Sequence, residues 1–120
     1  LVDVMLACID GTLDKIDVKW DKSPCISVVC ASKGYPDEYE KNIEISGLEE
    51  AGKMKDVIVF HAGTKNENGK ILTDGGRVLG VTSLGKDIKS AKINAYKAIE
   101  KIKFKGMQYR KDIGDRAIGR

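Results

Sequence analysis

The chain has 120 residues, enough for one domain with a single core. Its 21 Lys and Arg stand against 18 Asp and Glu, and the resulting charge of +3 is spread along the chain rather than gathered into an arm, which argues against nucleic acid as a partner. No apolar run approaches the roughly 18 to 20 residues of a membrane span and no signal-like start is present, so no membrane partner is expected. Beginning at Leu1 rather than Met, the sequence reads as an interior piece of a longer protein, although a processed terminus gives the same appearance.

In chain order, Leu1, Val2, Met5, Leu6 and Ile9 share one helical face, with Gly11 as the stop, and predict a short helix leading in. Ile16, Val18 and Trp20 alternate with charged residues, as in a strand with one buried face. After Pro24, the run Ile26, Val28, Val29 and Cys30 is nearly continuous and reads as a central strand. Asn42 to Ser46 alternates again with Ile43 and Ile45 inward, and Val57 to Phe60 is a β-rich run ending at His61, Ala62 and Gly63. Asn66 to Gly69 supplies hairpin chemistry before Ile71 and Leu72, and Asp74, Gly75 and Gly76 a second tight turn before Arg77 to Thr82. Such short returns favour antiparallel pairing.

Ile88, Ala91, Ala95, Ala98 or Ile99, and Ile102 recur at helical spacing behind Asp87, a suitable cap, with lysines on the outer face. In the remainder, Gly106, Gly114 and Gly119 break any regular period, yet Phe104, Met107, Tyr109, Ile113 and Ile118 need somewhere to pack. The fold class is therefore α+β, an antiparallel sheet with flanking helices, without internal repeat or linker. Cys8, Cys25 and Cys30 form an odd set with no CxxC pair, and read as reduced, buried thiols of a cytoplasmic protein.

Most motif tests exclude chemistry. Gly47 to Met54, GLEEAGKM, has the glycine and lysine spacing of a phosphate-binding loop, but Met54 stands where a hydroxyl must reach magnesium, and Glu49 and Glu50 oppose phosphate. Asp14, Asp17 and Asp21 lack the glycine and terminal glutamate of a calcium loop. His61 is the only histidine, better suited to a structural hydrogen bond than to general-base work. With no nucleophile and base in a recognisable pattern, the chain is not expected to be a complete enzyme, and no catalytic residue or metal ligand is assigned.

What remains is a set of glycine-bearing strand exits: Ala31 to Pro36, His61 to Thr64, and Gly75 to Arg77. Several of them can share one edge of an antiparallel sheet as a concave rim. Gly34 permits close approach, Pro36 stiffens the exit, Ser32 and Lys33 offer a donor and a cation, and Arg77 offers a planar fork for carboxylate or phosphate. The plainer alternative is that Gly75 and Gly76 serve a hairpin and Arg77 pairs with an acid.

These same stretches carry a resemblance. ASKGYP (31–36), YEK (39–41), EISGLEEA (44–51), VFHAGT (59–64), GGRVLGVT (75–82) and the closing FKGMQYRKDIGDRA are similar, in order and spacing, to the C-terminal domain of the phosphoribosylamine-glycine ligase family, also called glycinamide ribonucleotide synthetase. Lys33 stands where glycine is frequent in the family and Asp115 where histidine or phenylalanine is frequent, so position 115 is given no catalytic duty.

The resemblance implies a fold in which residues 1–15 lead in from an ATP-grasp module and residues 16–120 form the C-terminal domain. It also implies a purine-biosynthetic reaction: ATP phosphorylates glycine, the amine of 5-phosphoribosylamine attacks the glycyl phosphate, and glycinamide ribonucleotide, ADP and phosphate result. ATP and magnesium (or manganese) would be held mainly by the ATP-grasp module, this segment closing one side of the cleft and being inactive alone. Charge and strand-end placement then nominate Ser32, Lys33, Gly34, Arg77, Arg110 and Lys111 for substrate, with Pro36, His61, Gly63, Gly75 and Gly76 as rim. Asp37 to Glu40 would repel phosphate and read as solvated face or domain contact. A stand-alone interaction module and a purely structural lid are the alternatives.

Overall fold

Three antiparallel strands carry the core of the protein, whose computed structural model describes residues 1–118. They are β1 (Cys25–Ala31), β2 (Val57–His61) and β5 (Arg77–Leu84), in the order β1–β5–β2. Val28 faces Val81, which in turn faces Val59, so side chains alternate in step across the sheet. Ile26, Val28 and Cys30 of β1 and Leu79 and Val81 of β5 are buried on one face. Val29, Ile58 and Phe60, about half exposed, occupy the other.

Helix α3 (Ile88–Lys101) covers the buried face with Ala91, Ala95, Ala98 and Ile99, all fully buried. Alanines at helical spacing let the helix axis approach the sheet closely. Asp87 starts the helix as expected: its carboxylate accepts from the Ser90 N–H at 2.6 Å, while the Asp87 N–H donates to Ser90 Oγ at 3.1 Å. Asn94 Nδ2 donates to the buried Ser83 Oγ at 2.9 Å and to the Lys55 carbonyl at 3.0 Å, so the polar seam between helix and sheet is satisfied.

A second sheet is the hairpin of β3 (Thr64–Glu67) and β4 (Lys70–Thr73). Its two-residue loop, Asn68 and Gly69, has φ of 52° and 81°, the paired positive values of a type I′ turn, as the NENG stretch predicts. The segment around Ile43 and Ile45 lies along β4 through Ile45 N–H to the Ile71 carbonyl and Thr73 N–H to the Ile43 carbonyl, both 2.8 Å. It forms isolated bridges rather than a strand.

Several expectations are corrected. Helix α1 (Val2–Ile9) forms, but of its residues only Ala7 is buried, and Leu1, Val2, Met5, Leu6 and Ile9 are exposed. Ile16 to Trp20 is not a strand: alternation creates a strand only where a neighbour offers its edge, and Trp20 is 84% exposed. β1 is an edge strand, and β5 is the central one. Asp74 to Gly76 joins two different sheets instead of making a hairpin.

The phosphate-loop look-alike folds as α2 (Leu48–Gly52) behind Gly47, whose φ is 79° and where a β-carbon would lie 1.8 Å from the Lys101 carbonyl oxygen; that glycine serves packing. Cys8 and Cys25 are exposed, and Cys30 alone of the three thiols is buried. Phe104 is buried and Met107, Tyr109 and Ile113 pack against the core, whereas Ile118 is exposed; Gly119 lies outside the described residues.

Candidate functional site

The three glycine-bearing exits converge at one end of the main sheet. Ser32 donates from its N–H to the Gly76 carbonyl at 2.8 Å and from Oγ to the Gly75 carbonyl at 3.1 Å. Gly63 donates to the Arg77 carbonyl at 2.8 Å and accepts from the Asp74 N–H at 2.7 Å. The glycines make this convergence possible. A β-carbon on Gly63 would lie 2.6 Å from the Gly75 Cα, and one on Gly76 would lie 2.1 Å from the Tyr35 ring. A β-carbon on Gly34, at φ 96°, would likewise lie 2.1 Å from the Glu38 carbonyl oxygen. The Tyr35–Pro36 peptide is cis, and His61 Nδ1 lies 3.0 Å from Thr64 Oγ1 at the rim.

Two grooves flank the 32–36 turn. The first, about 560 Å³, is lined by Tyr35, Phe60, Gly63, Gly76, Arg77 and Gly80, among others, and among the described residues contains one cation and no carboxylate. The second, about 590 Å³, is lined by Ser32, Lys33, Gly34, Glu38, Glu40 and Lys105, together with Tyr39, Ile43 and Gly106. Lys105 is drawn to Glu40 at 3.5 Å. Among the described residues no ion pair involves Arg77 or Lys33. With its acids, the second groove is the poorer place for an anion; the Arg77 groove is the better one.

The nominated residues thus separate. Lys33 and Gly34 open on one groove and Arg77 on the other, with Gly63 and Gly76 in its wall. Ser32 borders the Lys33 groove and does not line the Arg77 groove; it is 2% exposed and its hydroxyl hydrogen is committed to Gly75, so it offers an anion no free donor. Arg110 lines neither groove: its Nε and Nη2 donate to Asp112 at 2.9 and 2.6 Å, holding that carboxyl down at about 2 and raising its own pKa. Lys111 lines a separate groove along α3 with Lys92, Tyr96 and Ile118.

Tyr35, Phe60 and Gly80 were not singled out in the sequence. Tyr35 sits inside the ASKGYP stretch, and Phe60 and Gly80 are opposite one another in the β2–β5 register, a pairing that only topology supplies. Lys105 enters the second groove from a distant part of the chain and leaves no local signal. Among the described residues no three His, Cys, Asp or Glu side chains gather as a metal site, and no helix is long and apolar enough to cross a membrane.

Residues 25–116 match the family model described as phosphoribosylglycinamide synthetase, C domain. The chain is 51% identical over 119 residues to a bifunctional purine biosynthetic protein of Dictyostelium discoideum, covering 98% of this chain and 15% of that one. It is 50% identical over 119 residues to a phosphoribosylamine–glycine ligase of Rhodopirellula baltica, covering 98% of this chain and 27% of the relative. A crystal structure of phosphoribosylamine–glycine ligase from Thermotoga maritima superposes with a TM-score of 0.71 at 30% identity, over 90% of this chain and 27% of that one. The chain therefore spans well under a third of the length of these relatives.

Proposed function

The chain belongs to the phosphoribosylglycinamide synthetase C-domain family, and from that premise we propose that it is the C-terminal part of an ATP-dependent carbon–nitrogen ligase that makes glycinamide ribonucleotide. In the parent reaction the γ-phosphoryl group of ATP passes to the glycine carboxylate, giving glycyl phosphate and ADP. The amine of 5-phosphoribosylamine then attacks the acyl carbon and phosphate leaves. A free acyl phosphate is lost to water, so the reaction needs a wall that closes the cleft while the amine arrives.

The observation that carries this domain's role is Arg77, projecting from a tightly held backbone into a groove that has no carboxylate of its own. A guanidinium fork there matches the ribose phosphate or the glycine carboxylate, and Lys33 across the turn adds a second charge to the rim. ATP and magnesium or manganese belong mainly to the ATP-grasp module. The residues described here do not fit a metal, since no acidic cluster converges, and no step is routed through one. Residues 1–15 lead in from that module, consistent with the bare apolar face of α1. The exposed Val29, Ile58 and Phe60 favour the structural-lid alternative, in which the sheet packs on the module without touching substrate.

An assay of the full-length parent beside the isolated 120 residues tests the division of labour. The parent is expected to form glycinamide ribonucleotide dependent on ATP and glycine, and the isolated chain to form none. ATP-dependent product from the isolated chain, or none from the parent, contradicts it.

A further inference from the structure

We infer that Ser32 is a positioning residue for Arg77, an inference that rests on the proposed anion-binding role of Arg77. Both hydrogen-bond donors of Ser32 are spent on the carbonyls of Gly75 and Gly76, the two residues directly before Arg77. On the other side, the Gly63 N–H holds the carbonyl of Arg77 itself. A link of two glycines is the least constrained backbone a chain can offer, and here it must cross from one sheet to another in the three residues 74–76. Left alone it would let Arg77 sample many directions; clamped, it presents one.

The strand register explains how Ser32 reaches the link. Cys30 pairs with Leu79 but Ala31 pairs with Arg77, so β5 carries one extra residue, the buried Val78. This bulge turns the end of β1 across the start of β5 and brings Ser32 beneath Gly75 and Gly76. The Tyr35 ring then closes over Gly76, leaving no room for a β-carbon and forming the groove wall beside Arg77. With 2% of its surface exposed and no donor left, Ser32 acts through Arg77 and does not touch an anion itself.

A double-mutant cycle in the full-length ligase tests this. Arg77→Ala is expected to raise the KM of the substrate whose anion it binds about 10- to 100-fold. Ser32→Ala is expected to raise the same KM about 3- to 10-fold and to add nothing in the Arg77→Ala background. A merely structural serine would lower stability and activity equally in both backgrounds, and that outcome overturns the inference. So does an unchanged KM in Ser32→Ala while Arg77→Ala is impaired, which leaves the proposed function standing. Unchanged constants in Arg77→Ala bring down the anion-binding role and the inference together. If Ser32→Ala does not fold, Ser32→Cys, which fills similar space but donates weakly, reads the same coupling.

Discussion

Gly63 and Gly75 meet backbone to backbone: a β-carbon on Gly63 would stand 2.6 Å from the Gly75 Cα and 2.7 Å from the Arg77 carbonyl oxygen. The obstacles are main-chain atoms of the facing Gly75–Arg77 exit, so no side chain can swing aside. Gly63→Ala is therefore expected to cost about 1–3 kcal/mol and to lower the melting temperature by about 5–15 °C. Gly52→Ala, where a β-carbon meets nothing within 4 Å, is expected to be close to neutral. Thermal unfolding of both variants checks this; equal melting temperatures would show that the exits have slack.

The thiols differ in environment, and their reactivity is expected to follow. Burial pushes the Cys30 thiol up to about 11, while Cys8 and Cys25 are exposed. Titration of the native chain with a thiol reagent at neutral pH should label two cysteines rapidly and Cys30 only after denaturation. Rapid labelling of all three would contradict the placement of Cys30 in the core.

The Arg110–Asp112 pair makes a pH prediction. Hydrogen bonding from Arg110 lowers the Asp112 pKa from 3.8 to about 2 in the folded chain. A depressed carboxylate stabilises the fold above its unfolded pKa, and that contribution fades as pH falls from about 4 through about 2. The pair is exposed and screened, so its effect on stability is small and the site itself is the better readout. An NMR titration is expected to find the Asp112 midpoint near 2, moving back toward 3.8 in Arg110→Ala. A midpoint near 3.8 with Arg110 intact would remove the pair.

Trp20 is the only tryptophan and is 84% exposed. The isolated chain is expected to show the emission of a water-exposed indole, readily quenched by acrylamide. Blue-shifted, protected emission would restore the strand that the alternation of Ile16, Val18 and Trp20 suggests.

Where a signal was local, the sequence could be read. Asn68–Gly69 dictates its turn through two positive φ values, and Asp87 with Ser90 writes a helix start in four residues. The run from Ile26 to Cys30 shows a strand but not its place in the sheet, because apolar content does not say which strand has two neighbours. Ile16 to Trp20 misled for the related reason that alternation cannot supply a partner edge. At the site, the glycines of the three exits were visible in the sequence. What joined them was not: Ser32 to Gly76 and Gly63 to Arg77 are long-range contacts through main-chain atoms that any residue type carries. Lys105, which lines the same groove as Lys33, is likewise distant from it in sequence, whereas Arg110 was nominated by charge and placement and its neighbour Asp112 claims it.

The most direct measurement of the central claim is a structure of the full-length ligase with glycinamide ribonucleotide and a nucleotide bound. The Arg77 guanidinium is expected within about 3.2 Å of a ligand phosphate or carboxyl-derived oxygen, with Tyr35 and Gly76 walling the same groove. A closed complex in which Arg77 faces solvent or another domain, and no residue of the three converging exits reaches the ligand, would contradict it and leave the domain as a lid alone.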